Sequence, residues 1–135
     1  IKLNSFVDPL VPGVTCHVAS IEANLSLSDP SDSAVSCRQT GEITPAMIAR
    51  IKKGKAGEVV FEKSKSVFLK TLKIRRIFDE ESQTLMYLSY STRETSGSFK
   101  HSLSTVPLWG TAAYVPPQVQ ATNEGVKKSD QAKSF

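Results

Sequence analysis

Apolar and polar positions alternate with a period of two along much of this chain, and turn-forming clusters interrupt the alternation at short intervals. Residues 1–7 set Ile1, Leu3 and Ser5 against Lys2, Asn4 and Phe6, which predicts a short strand. Asp8-Pro9 and Pro12-Gly13 then supply turns. Residues 14–18 form a second strand, with Val14, Cys16 and Val18 on one face. A polar loop at 28–33 leads to extended structure at 34–39. Residues 58–61 return to strand. Residues 67–78 and 84–92, rich in β-branched and aromatic side chains, read as a hairpin closed by the polar loop 79–83. A last short strand is expected at 103–108.

One helix interrupts this pattern near residues 45–53. Thr44 can cap it, Pro45 suits its first position and Gly54 suits a left-handed stop. Ile43 can pack on Ile48 as a hydrophobic staple, and Met47, Ile48 and Ile51 supply the buried stripe. Several hairpin-linked strands with a single helix predict a mainly β fold, because a parallel α/β sheet needs several crossover helices. The expected architecture is a single antiparallel β domain, a sandwich or partly open barrel, over 1–115. The polar stretch 116–135 is expected to be a loosely held tail.

Charge breaks the pattern in one place. Within 67–78, Lys70, Lys73, Arg75 and Arg76 fall on both faces of the strand. A bulge, or an edge position that uses charge to block further pairing, would account for that. The net charge of +4 is concentrated: residues 50–76 hold ten basic and two acidic groups, a balance of +8, and the flanking segments are both negative. Arg50, Lys52, Lys53 and Lys55 cluster at the helix end and the loop after it. Cations there complement the helix dipole and keep a surface solvated. They also form a candidate patch for an acidic protein or an anionic lipid surface.

Composition narrows the chemistry further. At 135 residues and 39% apolar content the chain is sized for one globular core. No apolar run approaches the roughly 20 residues that span a bilayer, so no transmembrane segment is expected. The chain begins at Ile1 without a leader pattern, so any targeting segment is expected to have been removed or left out. Cys16, His17, Cys37 and His101 are the only soft metal-ligand candidates. They lack ligand spacing, and Cys16 and His17 point to opposite sides of a strand. There is no nucleophile elbow, phosphate loop or dinucleotide fingerprint. Asp29 and Asp32 belong first to a turn, and the acceptor-like Asn24-Leu25-Ser26 is a chance match. No catalytic residue, metal or cofactor is expected, and no recognition element for nucleic acid is visible. Cys16 and Cys37 would be buried thiols in a reducing compartment and could pair in an oxidising one.

Several blocks, in order and at matching spacing, resemble the CreA family and cover most of residues 7–107. They are Asp8-Pro9 with Gly13-Val14-Thr15-Cys16-His17-Val18; Ser31-Asp32-Ser33-Ala34-Val35-Ser36-Cys37-Arg38-Gln39; Lys53-Gly54-Lys55 leading to Gly57-Glu58-Val59-Val60-Phe61; residues 70–79; Leu85-Met86-Tyr87-Leu88-Ser89-Tyr90-Ser91; and Ser102-Leu103-Ser104-Thr105-Val106-Pro107. The resemblance implies export with a cleaved signal peptide, a periplasmic location and an oxidised Cys16–Cys37 pair. It makes 1–115 a CreA-like β domain, implies a further short strand upstream of Ile1, and carries nothing to the tail. The expected function is a non-enzymatic periplasmic binding or interaction module. The alternative is a barrel or sandwich that binds a small apolar ligand, lined by Phe61, Phe68, Leu72, Tyr87 and Tyr90. A hydrolase comes third.

Overall fold

The computed structural model describes residues 1–20, 33–65, 70–91, 101–117, 132, 134 and 135, with backbone alone at 64, 65, 70 and 71. The 24–26 acceptor match, Asp29, Asp32, Phe68 and most of the tail beyond 117 lie outside the described residues. The elements run β1 (Lys2–Val7), β2 (Val14–Ser20), β3 (Ser33–Gln39), α1 (Pro45–Arg50), β4 (Glu58–Lys65), β5 (Lys70–Asp79), β6 (Thr84–Ser91) and β7 (His101–Pro107). They form a three-stranded sheet, β1-β2-β3, and a four-stranded sheet, β4-β5-β6-β7. Every pairing is antiparallel. The fold is the expected mainly β one, two sheets without closure into a barrel.

Two different contacts close the seams between the sheets. On one side β3 lies beside β7, where the Ser102 hydroxyl accepts from Val35 N at 3.0 Å and the Ser104 hydroxyl accepts from Cys37 N at 2.8 Å. Serine side chains thus take the place of ladder carbonyls and satisfy an edge that would otherwise be open. On the other side Phe6 of β1 stacks on Phe61 of β4, with ring centroids 4.7 Å apart.

The same phasing explains the cysteines. Because the N–H of Cys37 points to β7, Cys16 and Cys37 form a non-hydrogen-bonded pair across β2 and β3, the type in which Cα atoms sit closest. Their Cα atoms are 4.0 Å apart, the sulfurs lie at a bonding distance of 2.12 Å, and both residues are fully buried. Val14, Cys16 and Val18 share the inner face as expected, with His17 exposed on the other.

In β1 the inner positions are Asn4 and Phe6, which leaves Ile1 97% and Leu3 76% exposed. The continuation of that inner series is Asp8, whose side chain is wholly buried. Placing that carboxylate inside sets the strand's orientation, at the expense of two apolar side chains.

β5 corrects the expected explanation for its mixed charge. It is a central strand, flanked by β4 and β6, so its cations do not guard an edge. The bulge is carried by the partner β4, between Val59 and Phe61. Arg76 belongs to the inner face with Leu72, Ile74 and Phe78, and is 1% exposed.

The helix is shorter than the spacing predicts. Thr44 caps it, accepting from Met47 N, and Pro45 occupies the first turn, but the chain leaves helical geometry at Ile51 rather than at Gly54. Extended backbone there turns the Ile51 side chain into the core, at 4% exposure. The next amide, Lys52 N, donates to the Glu58 carboxylate at 3.0 Å. Gly54 instead closes a turn, accepting from Gly57 N at 3.0 Å. Met47 and Ile48 are half-buried, and Ile43 is fully buried. The last strand starts two residues before the expected 103, so His101 opens β7, exposed.

Reagent titration of denatured, unreduced protein should find almost no free thiol, and Cys37→Ser should cost about 3 kcal/mol of stability. Gly57 sits at φ +60°, and a Cβ there would collide with the Arg76 carbonyl oxygen. Gly57→Ala should therefore lower stability by about 2 kcal/mol or more in chemical denaturation.

Candidate functional site

One cluster of ionisable side chains lies inside the fold. Arg76 reaches from β5 between the sheets and holds Asp8 with two bonds, Nε to Oδ2 at 2.8 Å and Nη2 to Oδ1 at 3.1 Å. Its third nitrogen, Nη1, donates to Glu58 Oε1 at 2.9 Å. Asp8 Oδ1 also accepts from Leu10 N and Val11 N, so the carboxylate folds its own Asp-Pro turn. The Tyr87 hydroxyl donates to Asp8 Oδ2 at 2.7 Å. Asp8, Arg76 and Tyr87 are at most 1% exposed.

This grouping has the residue types of an acid–base site, yet its geometry is that of a structural centre. Asp8 accepts five bonds and each guanidinium nitrogen of Arg76 donates to a carboxylate, so the pair is committed to joining the two sheets. Burial, and next the charge of Asp8, push the Tyr87 phenol far above its ordinary value, so it stays a donor. From sequence, Asp8, Glu58 and Arg76 are not marked as site residues, and Tyr87 enters only as a lining residue of an apolar pocket. The signal was there: one arginine in an inward series of apolar residues must bring its own counter-ion. The counter-ion, 68 positions away, had no mark in the sequence to identify it.

The basic patch lies just outside this centre. Arg50, Lys52, Lys53 and Lys55 are all exposed, on the last turn of α1 and the loop that follows. The loop is anchored at two points. Glu58 Oε1 accepts from both Lys52 N and Arg76 Nη1, and Arg75 Nη1 donates to the Ala56 carbonyl at 2.9 Å. Arg75 is itself held by Tyr90, whose hydroxyl accepts from its Nε and Nη2 at 3.2 and 3.1 Å. The positive surface is narrower than the +8 of residues 50–76 indicates. Arg76 is neutralised inside, Arg75 is committed to the loop, and Lys73 pairs with Glu62 at 3.4 Å.

The residues expected to line an apolar pocket do not share one surface. Tyr87 and Leu72 are inward core residues, whereas Tyr90 lies on the outer face of β6 beside Arg75. Phe61 is occupied by its stack on Phe6. Among the described residues no three His, Cys, Asp or Glu side chains gather as a metal site, and no helix is long and apolar enough to cross a membrane.

Removing one partner of the internal pair leaves the other as an uncompensated buried charge. Asp8→Asn and Arg76→Leu should each cost about 3–5 kcal/mol in denaturant melts, against about 1–2 for Tyr87→Phe. Tyr87 also sets a pH dependence. The unfolded chain releases this proton near the ordinary tyrosine value of about 10 while the folded chain keeps it. Its contribution is thus whole below about pH 10 and lost as pH rises beyond, by about 1.4 kcal/mol per unit. In alkaline denaturation curves, Tyr87→Phe should remove one proton's worth of that slope.

The family model described as CreA protein matches residues 1–111, which include every strand, the internal ion pair and the basic patch. Protein CreA of Escherichia coli strain K12 is 43% identical over 115 residues, covering 80% of this chain and 72% of the relative. Proteins of the same name from the O6:H1 and O157:H7 strains match to the same extent. None of these names denotes an enzymatic activity. No solved structure matches the chain.

Proposed function

The chain belongs to the CreA family, and on that footing we propose that it is a non-enzymatic, periplasmic interaction module that docks on an anionic surface of the bacterial envelope. The observation that carries this reading is the patch of Arg50, Lys52, Lys53 and Lys55: four exposed cations on the last turn of α1 and the anchored loop after it, with no acidic side chain bonded to them among the described residues. Anchoring matters because a surface already held in place loses little conformational freedom on association. The buried Cys16–Cys37 pair supports an oxidising compartment, where such bonds persist. The burial and mutual pairing of Asp8 and Arg76 support a binding role over catalysis.

Each cation near an anionic bilayer contributes about 1 kcal/mol, so four together support measurable association at low salt. Binding to vesicles of phosphatidylglycerol and phosphatidylethanolamine, measured by co-sedimentation, should weaken steeply as salt shortens the Debye length to about 8 Å. The variant with all four replaced by Glu should lose binding with thermal stability nearly unchanged, since the side chains are solvated. Parent-like binding by that variant, or binding indifferent to salt, would remove the patch from the function. Salt-sensitive binding to an acidic protein with none to vesicles would replace the membrane as partner.

A further inference from the structure

The end of the fold that holds the basic patch also carries an exposed tryptophan. β4 begins there and β7 finishes there: antiparallel pairing sets Glu58 opposite Arg76 near the end of β5, and Pro107 opposite Thr84 at the start of β6. The loop 51–57, which bears Lys52, Lys53 and Lys55, therefore leaves the same end of the four-stranded sheet as the turn 108–115. Helix α1 joins the two. Ala113 N donates to the Ile43 carbonyl, just ahead of the helix cap, at 3.1 Å. Arg50 stands at the far end of the helix, which at six residues is about 9 Å long.

Trp109 is 75% exposed, and it is the only tryptophan of the chain. Its turn is held in several places. The Leu108 carbonyl accepts from Thr111 twice, from N–H at 2.9 Å and from the hydroxyl at 2.7 Å. Gly110 supplies the positive φ, 83°, that such a turn requires at its third position. Leu108 N donates to the Gln83 carbonyl, and the Gln83 side chain both donates to and accepts from the Val115 backbone. Tyr114 meets the indole edge-on, with ring centroids 5.3 Å apart. Leu108 and Ala113 are buried, so the turn is rooted in the core while the indole stands in water. A single exposed apolar side chain is ordinary. One held out by a fixed turn is a preorganised contact, which loses little freedom on docking.

We propose that Trp109 is the apolar anchor of this docking face, its indole seated in the headgroup zone of an anionic bilayer while Arg50, Lys52, Lys53 and Lys55 meet the phosphates. The inference rests on the membrane reading of the patch. An indole has an apolar body and one N–H donor, which suits it to the boundary between acyl chains and headgroups. A bilayer also receives a protruding ring and a neighbouring group of cations together, without a matched pocket. Charge alone is a limited source of affinity here, because exposed Glu42, Glu80 and Glu81 lie at the same end and offset part of the attraction. The anchor adds an attraction that salt does not screen.

The test reads the fluorescence of this one tryptophan as the whole chain is titrated with phosphatidylglycerol–phosphatidylethanolamine vesicles, with and without brominated acyl chains, beside co-sedimentation of the same samples. The emission should shift to the blue, and brominated lipid should quench it, in step with the bound fraction. Trp109→Ser should weaken vesicle binding about tenfold, the scale of one large apolar side chain returning to water. It should do so at every salt concentration, leaving the salt slope set by the four cations unchanged, and Trp109→Phe should recover part of the loss. The emission of the parent needs no substitution, so it stands whatever a variant does to folding. Protein that sediments with vesicles without shift or quenching, or a folded Trp109→Ser variant that binds as the parent does, would overturn the anchor and leave the patch standing. No sedimentation with vesicles even at low salt would overturn both. A blue shift produced by an acidic protein and not by vesicles would overturn the bilayer as partner in favour of a protein.

Discussion

Arg76 carries a full charge into the space between two sheets, and the fold is arranged so that this charge is never unpaired. Asp8 meets it with both oxygens, from a turn that the same carboxylate shapes. Glu58 meets the remaining nitrogen from the start of β4. The pair and the Tyr87 hydroxyl thus tie the first turn of the three-stranded sheet to β5 and β6, the two central strands of the other. A buried ion pair is weak evidence for net stability, because desolvation offsets most of its attraction. It is a strong constraint on arrangement, since a one-residue slip of β1 or β5 would turn a charge outward and strand its partner.

Features around the pair follow from that constraint. The inward Asp8 sets the face of β1, and so leaves Leu3 in solvent. Gly57 must pass against the Arg76 carbonyl with a positive φ, which only glycine tolerates without strain. Glu58 has a second duty, accepting from Lys52 N, so the loop bearing the exposed cations is tied through one carboxylate to the buried arginine. Surface charge and core charge in this segment are parts of one arrangement, even though they read as a single basic run.

The seams show how two small sheets avoid open edges without closing into a barrel. β3 offers its amides to serine hydroxyls of β7, and β1 offers an aromatic ring to β4. These are unlike devices with different consequences. The aromatic stack joins two half-buried rings at one seam. The serine seam brings hydroxyls inward.

Local pattern alone determined the strands, the antiparallel class, the N-terminal cap at Thr44 and the exposed position of the cations, because period-two alternation, capping chemistry and solvation act within a few residues. The family was equally legible, since blocks such as 13–18, 33–39 and 85–91 lie in order along the chain. What the tertiary structure decided is pairing at long range. That Arg76 faces Asp8, that helix geometry ends at Ile51 so its side chain can enter the core, and that Tyr90 and Tyr87 lie on opposite faces all depend on which strand lies beside which. A buried charge announces in one dimension that it needs a partner. The partner is chosen by packing in three.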